Sequence, residues 1–221
     1  QELLDSREGE IPFGFRNGYM FRAVLQRKPA VLRDFLRILL SLPADSTLQC
    51  EILNPIALGN PVYGKGSPLR VRFTVDDSLS GSASLNVLRN TSGTCLKAEF
   101  EFEGEINELP EALTGRTASL RDGSAPSRKC SELHDFTDTL FTTEWEELHS
   151  HRADSPVLQQ FAEALADLET RPEVIRQCIL CEDRYLEDLY RTAISGDAAH
   201  LRMLAREQRR HLKNLHTFLE I

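Results

Sequence analysis

The chain has 221 residues, 41% hydrophobic and 27% charged, with a formal net charge of −8. These are proportions of one or two ordinary globular domains, with enough chain to bury a core without disulfide staples. No apolar run approaches the ~20 residues that span a bilayer, and the acidic balance speaks against a protein whose main surface wraps nucleic acid. The charge is unevenly spread: residues 1–75 hold 10 Lys/Arg against 7 Asp/Glu, which leaves room for a basic face there. Five cysteines without framework spacing, and no basic, apolar leader after Gln1, predict a reduced, cytoplasmic setting.

Residues 1–16 are polar and predict a frayed start. Met20, Phe21, Val24 and Leu25 then fall on one helical stripe, and after Pro29 a second stripe runs through Val31, Phe35, Ile38, Leu39 and Leu42 until Pro43 ends it. Two short helices joined near Arg27–Pro29 are expected. Leu48, Cys50 and Ile52 alternate as a short strand would, and Gly59 to Pro68 reads as a loop. Leu69, Val71, Phe73 and Val75 alternate with Arg70, Arg72, Thr74 and Asp76; a turn over Asp77–Ser82, carrying Gly81, leads to Ala83, Leu85 and Val87 alternating with Ser84, Asn86 and Leu88. That pattern is a β-hairpin. A third strand, Leu96 to Glu103, has an acidic face of Glu99, Glu101 and Glu103.

Residues 104–133 lack periodicity and read as an irregular insertion. Pro156 to Glu169 is helical, and Thr170 with Glu173 has the spacing of a capping box opening a helix that stops at Gly196. Asp197 would cap a last helix with Leu201, Leu204, Leu212, Leu215 and Leu219 near heptad spacing. The expected fold is α+β: N-terminal helices and a β-hairpin-based mixed sheet in a core over 1–150, then a helical region over 151–221.

Chemistry is sparsely signalled. Cys178 and Cys181 share a helix face, but a zinc site needs two more ligands, and His149 and His151 are merely available. Buried core thiols are the simpler reading. Nothing resembles a P-loop, a GxGxxG turn or a GxSxG elbow. The last helix gathers His200, His211 and His216 with Arg202, Arg206, Arg209, Arg210 and Lys213, a basic face suited to solvent, phosphate or a partner. Glu99 and Glu101 are carboxylates on a strand, but magnesium would need more from a neighbouring strand.

The order of segments resembles one family. Asn17-Gly-Tyr-Met-Phe-Arg22, a Leu/Phe-rich helix, Asn54-Pro55, then Gly64-Lys65 ahead of a hairpin is similar to the PD-(D/E)XK nuclease family transposases, bacterial recombination-promoting nucleases. Thr137-Asp138 with Glu147-Leu148, and the run Arg184 to Asp188, resemble later stretches of the same family. The likeness covers residues ~15–88 and ~134–196 and implies a restriction-endonuclease-like core that cuts DNA with Mg²⁺. The region after the hairpin, expected to supply another core helix and strand, has no counterpart in 89–133.

The family carries its metal-binding aspartate, glutamate and third motif residue on the hairpin, at the positions that here hold Arg70, Asn86 and Leu88. A guanidinium offers no lone pair to a cation. It repels one by about 4 kcal/mol per unit charge at ~4 Å and an effective dielectric of 20, roughly double for a divalent ion. Asp76, six residues along the strand from Arg70, lies on the order of 20 Å away and is too far to substitute.

Three readings follow. In the first and preferred one, the domain is a catalytically inactive relative without a cofactor, binding DNA weakly through Lys65, Arg70 and Arg72, or binding protein, including its own copy, through the C-terminal helices. In the second, it is an active Mg²⁺-dependent endonuclease with carboxylates relocated to Glu99 and Glu101. In the third, it is a helical self-association module without nuclease ancestry.

Overall fold

A computed structural model describes residues 2–40, 42–60, 68–90, 93–103, 117–121, 139–152, 155–195 and 198–219. After the short α1 (Glu2–Asp5), the two expected N-terminal helices are α2 (Gly18–Arg27) and α3 (Pro29–Leu39). Asn17 caps α2: its backbone is extended and its Oδ1 accepts the N–H groups of Tyr19 and Met20. Pro29 opens α3, where its missing N–H would have had no helical partner. The segment between α1 and α2 is core rather than frayed. Ile11, Phe13 and Phe15 are buried at alternate positions, and Phe15 packs edge-on to Phe21 at 5.0 Å and Phe161 at 4.7 Å. Three apolar residues spaced by two, scattered among charges, set this segment against the core while leaving its composition polar.

The sheet comprises β1 (Leu48–Ile52), β2 (Leu69–Val75), β3 (Leu79–Asn90), β4 (Gly93–Glu103) and β5 (Thr117–Arg121) in the order β1-β2-β3-β4-β5. All four described pairings are antiparallel, so the sheet is a meander and not the mixed sheet expected. β5 lies within the stretch read as irregular; five residues are too few for alternation to register. Leu69, Val71, Phe73, Val75, Leu85 and Leu96 are among the residues that bury one sheet face, with α2 and α3 packed against it. The β2–β3 turn is Asp76–Ser78, with Asp76 and Asp77 in the left-handed region (φ 48° and 53°), a conformation aspartate tolerates better than most. Gly81 is therefore not in the turn but inside β3. A Cβ there would lie 2.5 Å from the Glu101 carbonyl oxygen and 2.8 Å from the Phe73 ring.

The C-terminal part contains α4 (Trp145–Arg152), α5 (Pro156–Glu169), α6 (Pro172–Ser195) and α7 (Ala198–Leu219). α4 falls in the stretch after residue 133 that reads as helical, but its bounds were not predicted, because only Trp145 and Leu148 mark its buried side. The Thr170 hydroxyl does not join a capping box: it donates back to the Asp167 carbonyl at the end of α5, while the Arg171 carbonyl accepts the N–H of Ile175 at the start of α6. α5 packs against α2, α3 and α4, and one hydrophobic core runs from Leu4 to Cys178 across residue 150. No helix among the described residues is long and apolar enough to cross a membrane.

Candidate functional site

The sheet face turned away from α2 and α3 is polar, and strand pairing orders it into rows. Arg70 on β2 pairs with Ser84 on β3, which pairs with Glu99 on β4; Arg72, Ser82 and Glu101 form the next row. Paired residues of an antiparallel sheet share a face, so cations on β2, serines on β3 and carboxylates on β4 lie side by side. Two strand spacings separate Arg70 from Glu99, about 10 Å between backbones. Arg72 is paired with Glu51 of β1 at 3.4 Å, and Glu99 with Lys97 at 2.5 Å. Arg70 is exposed and makes no ion pair among the described residues. Asn86 sits diagonally from Arg70 on the same face, and Leu88 lies beyond the end of β2, 38% exposed. Lys65 lies outside the described residues.

Two of the stretches that carry the resemblance, Asn17–Arg22 and Asn54, are hydrogen-bonded to each other and to the start of β2. Buried Arg22 of α2 donates through Nη2 to the Asn54 carbonyl at 2.5 Å. Asn54 in turn accepts the Arg70 backbone N–H on Oδ1 at 2.8 Å and donates from Nδ2 to the Pro68 carbonyl. Gln26 exchanges two hydrogen bonds with the backbone of Ile56, and the Gly59 N–H donates to the Tyr19 hydroxyl. Asn54 therefore fixes the start of β2, and with it the place of Arg70, against α2. Burial lowers the Arg22 pKa and raises that of Tyr19.

A second polar constellation is buried. Arg89 follows Val87 on the core side of β3 and reaches the α6–α7 helices. Its guanidinium meets Glu182 at 2.8 Å and Glu207 at 3.7 Å, and lies 3.6 Å from the centre of the Tyr185 ring. The Arg89, Glu182 and Glu207 side chains are only 9–11% exposed. Burial opposes the charge of Arg89, yet the two carboxylates outweigh it and hold the guanidinium above its ordinary pKa. Asn17 joins the cluster, donating to Glu182 Oε1 and to the Cys178 carbonyl. The adjoining cavity, lined in part by Arg16, Arg89, Arg210 and His211, has a volume of about 10 Å³, enough for one water molecule and no substrate. Composition and motif spacing missed this cluster. The one available signal was the inward parity of Arg89, a charge at a position alternation assigns to the core.

Cys178 is fully buried and Cys181 half-buried; burial first, with Glu182 nearby, pushes both thiols upward, away from nucleophilic or ligating thiolate. Among the described residues no three His, Cys, Asp or Glu side chains converge as metal ligands would, so His149 and His151 do not complete a site with this pair. Glu99 and Glu101 point from one strand with serines across β3. Comparisons with family models, with curated proteins and with solved structures find no match to this chain. Chemically, the open face can present charge and hydrogen bonds to a partner. Neither Glu99 nor Glu101 has a described carboxylate opposite it on β3 to complete the anionic cage a hard divalent cation favours.

Proposed function

We propose that this chain is a nuclease-like domain of the PD-(D/E)XK transposase family, with a restriction-endonuclease-like ancestry, that no longer hydrolyses DNA and acts by binding protein. The observation that carries this reading is Arg70. Its guanidinium stands exposed on the sheet face, Asn86 lies diagonally across the neighbouring strand, and both occupy positions where the resemblance places carboxylates. The hydrogen-bond chain from Arg22 through Asn54 to Arg70 also supports kinship, since it joins three of the separate stretches that resemble the family. Mg²⁺ at this position would meet a fixed cation and one neutral amide oxygen.

The same face argues for protein over DNA. Arg70 and Arg72 lie within about 10 Å of the Glu99–Glu103 row. A phosphate backbone drawn to the arginines would be repelled by that row, whereas a partner of mixed charge fits both.

Incubation of supercoiled plasmid with the purified chain and Mg²⁺ or Mn²⁺ tests the loss of hydrolysis: the plasmid is expected to stay intact. Nicking that Glu99→Gln abolishes and Asn86→Ala spares would replace this reading with the relocated-carboxylate enzyme. A labelled duplex at low salt should show no saturable binding. Binding removed by Arg70→Glu with Arg72→Glu would restore the DNA reading.

A further inference from the structure

The α6–α7 hairpin has a side that the fold leaves unused. Its outer half keeps a small core of its own, Leu189 and Ala193 against Met203 and Leu204 with Tyr185 and Leu186 beside them, separate from the main core. At 100° per residue, Leu201, Ala205 and Leu212 turn roughly 120–160° from inward-facing Glu207 in one sense. Arg202, Arg206, Arg209 and Lys213 turn a similar amount in the other. On α6, Tyr190 and Ile194 turn roughly 100–140° from inward-facing Leu189 in the first sense. Because the two helices run antiparallel, equal senses of rotation lead to one side of the hairpin. At the outer end of the hairpin one side is therefore apolar, with Arg176 and Asp183 following on the same side further down α6, and the other side, on α7, is cationic. Of the seven exposed large hydrophobic residues among the described ones, five lie on these two helices: Leu180, Tyr190, Ile194, Leu201 and Leu212, between 38% and 69% exposed. Single exposed apolar side chains are ordinary, but four of these, Tyr190, Ile194, Leu201 and Leu212, on one flank of a two-helix projection make the pattern of a contact surface.

We propose that this apolar flank is a homodimer interface, on which a second copy of the chain docks its own hairpin as an antiparallel four-helix bundle, each α6 lying over the partner's α7. Size and charge both point to a second copy. Twenty-two residues of α7 span about 33 Å, and two helices side by side offer a face about 18 Å wide. That is roughly 600 Å² per copy, about 1,200 Å² in total, which reaches the range of specific interfaces. An interface of this kind is self-complementary, so α6 must complement α7. The His211 Nε2–Asp183 contact at 2.8 Å sets the stagger of the hairpin and brings Glu187 level with the stretch between Arg202 and Arg209. Glu187 edges the apolar flank on α6, and Arg202 and Arg209 edge it on α7. With a two-fold axis along the helices, the partner's Glu187 lies over those two arginines. The alternative two-fold, placing α7 over α7, sets the arginines against their own copies.

The inference goes beyond the reading of the sheet face, and its test changes no sheet residue, so the two fail separately. Light scattering on the full chain, from low micromolar to about 100 μM, should give twice the 25.0 kDa protomer mass. Ile194→Glu with Leu201→Glu should yield a monomer whose circular dichroism and melting cooperativity are unchanged, since both side chains are exposed in the protomer. Glu187→Arg should weaken the dimer by about tenfold or more, and adding Arg209→Glu should restore it. A wild-type monomer throughout this range overturns the proposal. So does an oligomer that survives Ile194→Glu with Leu201→Glu, or a Glu187→Arg dimer that Arg209→Glu does not rescue.

Discussion

Replacing Arg89 by methionine keeps most of the side chain's bulk and removes its charge. Glu182 and Glu207 would then stay beside each other, nearly buried, without the cation between them. Removing one member of a buried ionic cluster costs about 3–5 kcal/mol, because the remaining charge has lost its water and gained nothing. The loss is unequally shared. Glu207 keeps Arg206 at 3.2 Å, while Glu182 keeps the Asn17 amide at 3.0 Å and the more distant attraction of Arg210, which both carboxylates share. The stacking of Arg89 on Tyr185 contributes about 1 kcal/mol more. We therefore expect Arg89→Met to lose about 5 kcal/mol, a fall in urea midpoint of about 2.5 M for a slope near 2 kcal/mol/M. Adding Glu182→Gln and Glu207→Gln should return most of it. A loss below about 1 kcal/mol, or a triple variant no more stable than the single one, would refute the view that this cluster clamps β3 to α6 and α7.

Three further outcomes can be checked. Burial pushes the Glu169 carboxyl up to about 7 from 4.5, against the pull of Arg7 and the Phe13 N–H, so the folded state holds a proton that the unfolded state releases. Its contribution is intact below pH ~4.5 and is lost as pH rises to 7, costing roughly 3 kcal/mol above that; Glu169→Gln should flatten the fall in denaturant midpoint between pH 5 and 8, and an unchanged slope would contradict this. Gly81→Ala should cost about 1–3 kcal/mol in thermal unfolding, and Phe73→Leu should not rescue it, because the Glu101 carbonyl remains in the way. Mass-spectrometric labelling by a thiol reagent at pH 8 should leave Cys178 and Cys181 unmodified until the protein unfolds; rapid native labelling of both would show that this face of α6 opens.

Much of the architecture could be read from periodicity. β2, β3 and β4 alternate apolar and polar residues over seven or more positions, and α2, α3, α5, α6 and α7 carry apolar stripes, so each announced its type. β5 and α4 offered five residues and two buried anchors, too little for a period to emerge. The rows of the sheet face were legible as well, since alternation alone puts Arg70, Arg72, Glu99 and Glu101 on outward positions. Pairing order was not legible. A meander and a mixed sheet can share the same strands, and alternation along a strand does not report which edges pair or in which direction. The Arg89 cluster stayed hidden for a different reason. Its charged partners lie far along the chain, Glu182 ninety-three residues on, and no local pattern reports such a pairing.

Asn17 uses its whole side-chain amide at once: Oδ1 takes two N–H groups of α2, and Nδ2 serves Cys178 and Glu182, 161 and 165 residues further on. During synthesis α2 therefore leaves the ribosome with half of its capping residue unengaged, and must wait for the 165 residues up to Glu182 before the contact closes. Late closure of so distant a contact slows folding and leaves the phenylalanine-containing segment before α2 open to aggregation. Aspartate would cap the helix equally well, but it would bring a second negative charge against Glu182 when the chain finally closed. The choice of amide over acid at position 17 is thus dictated by a glutamate that the ribosome has yet to make.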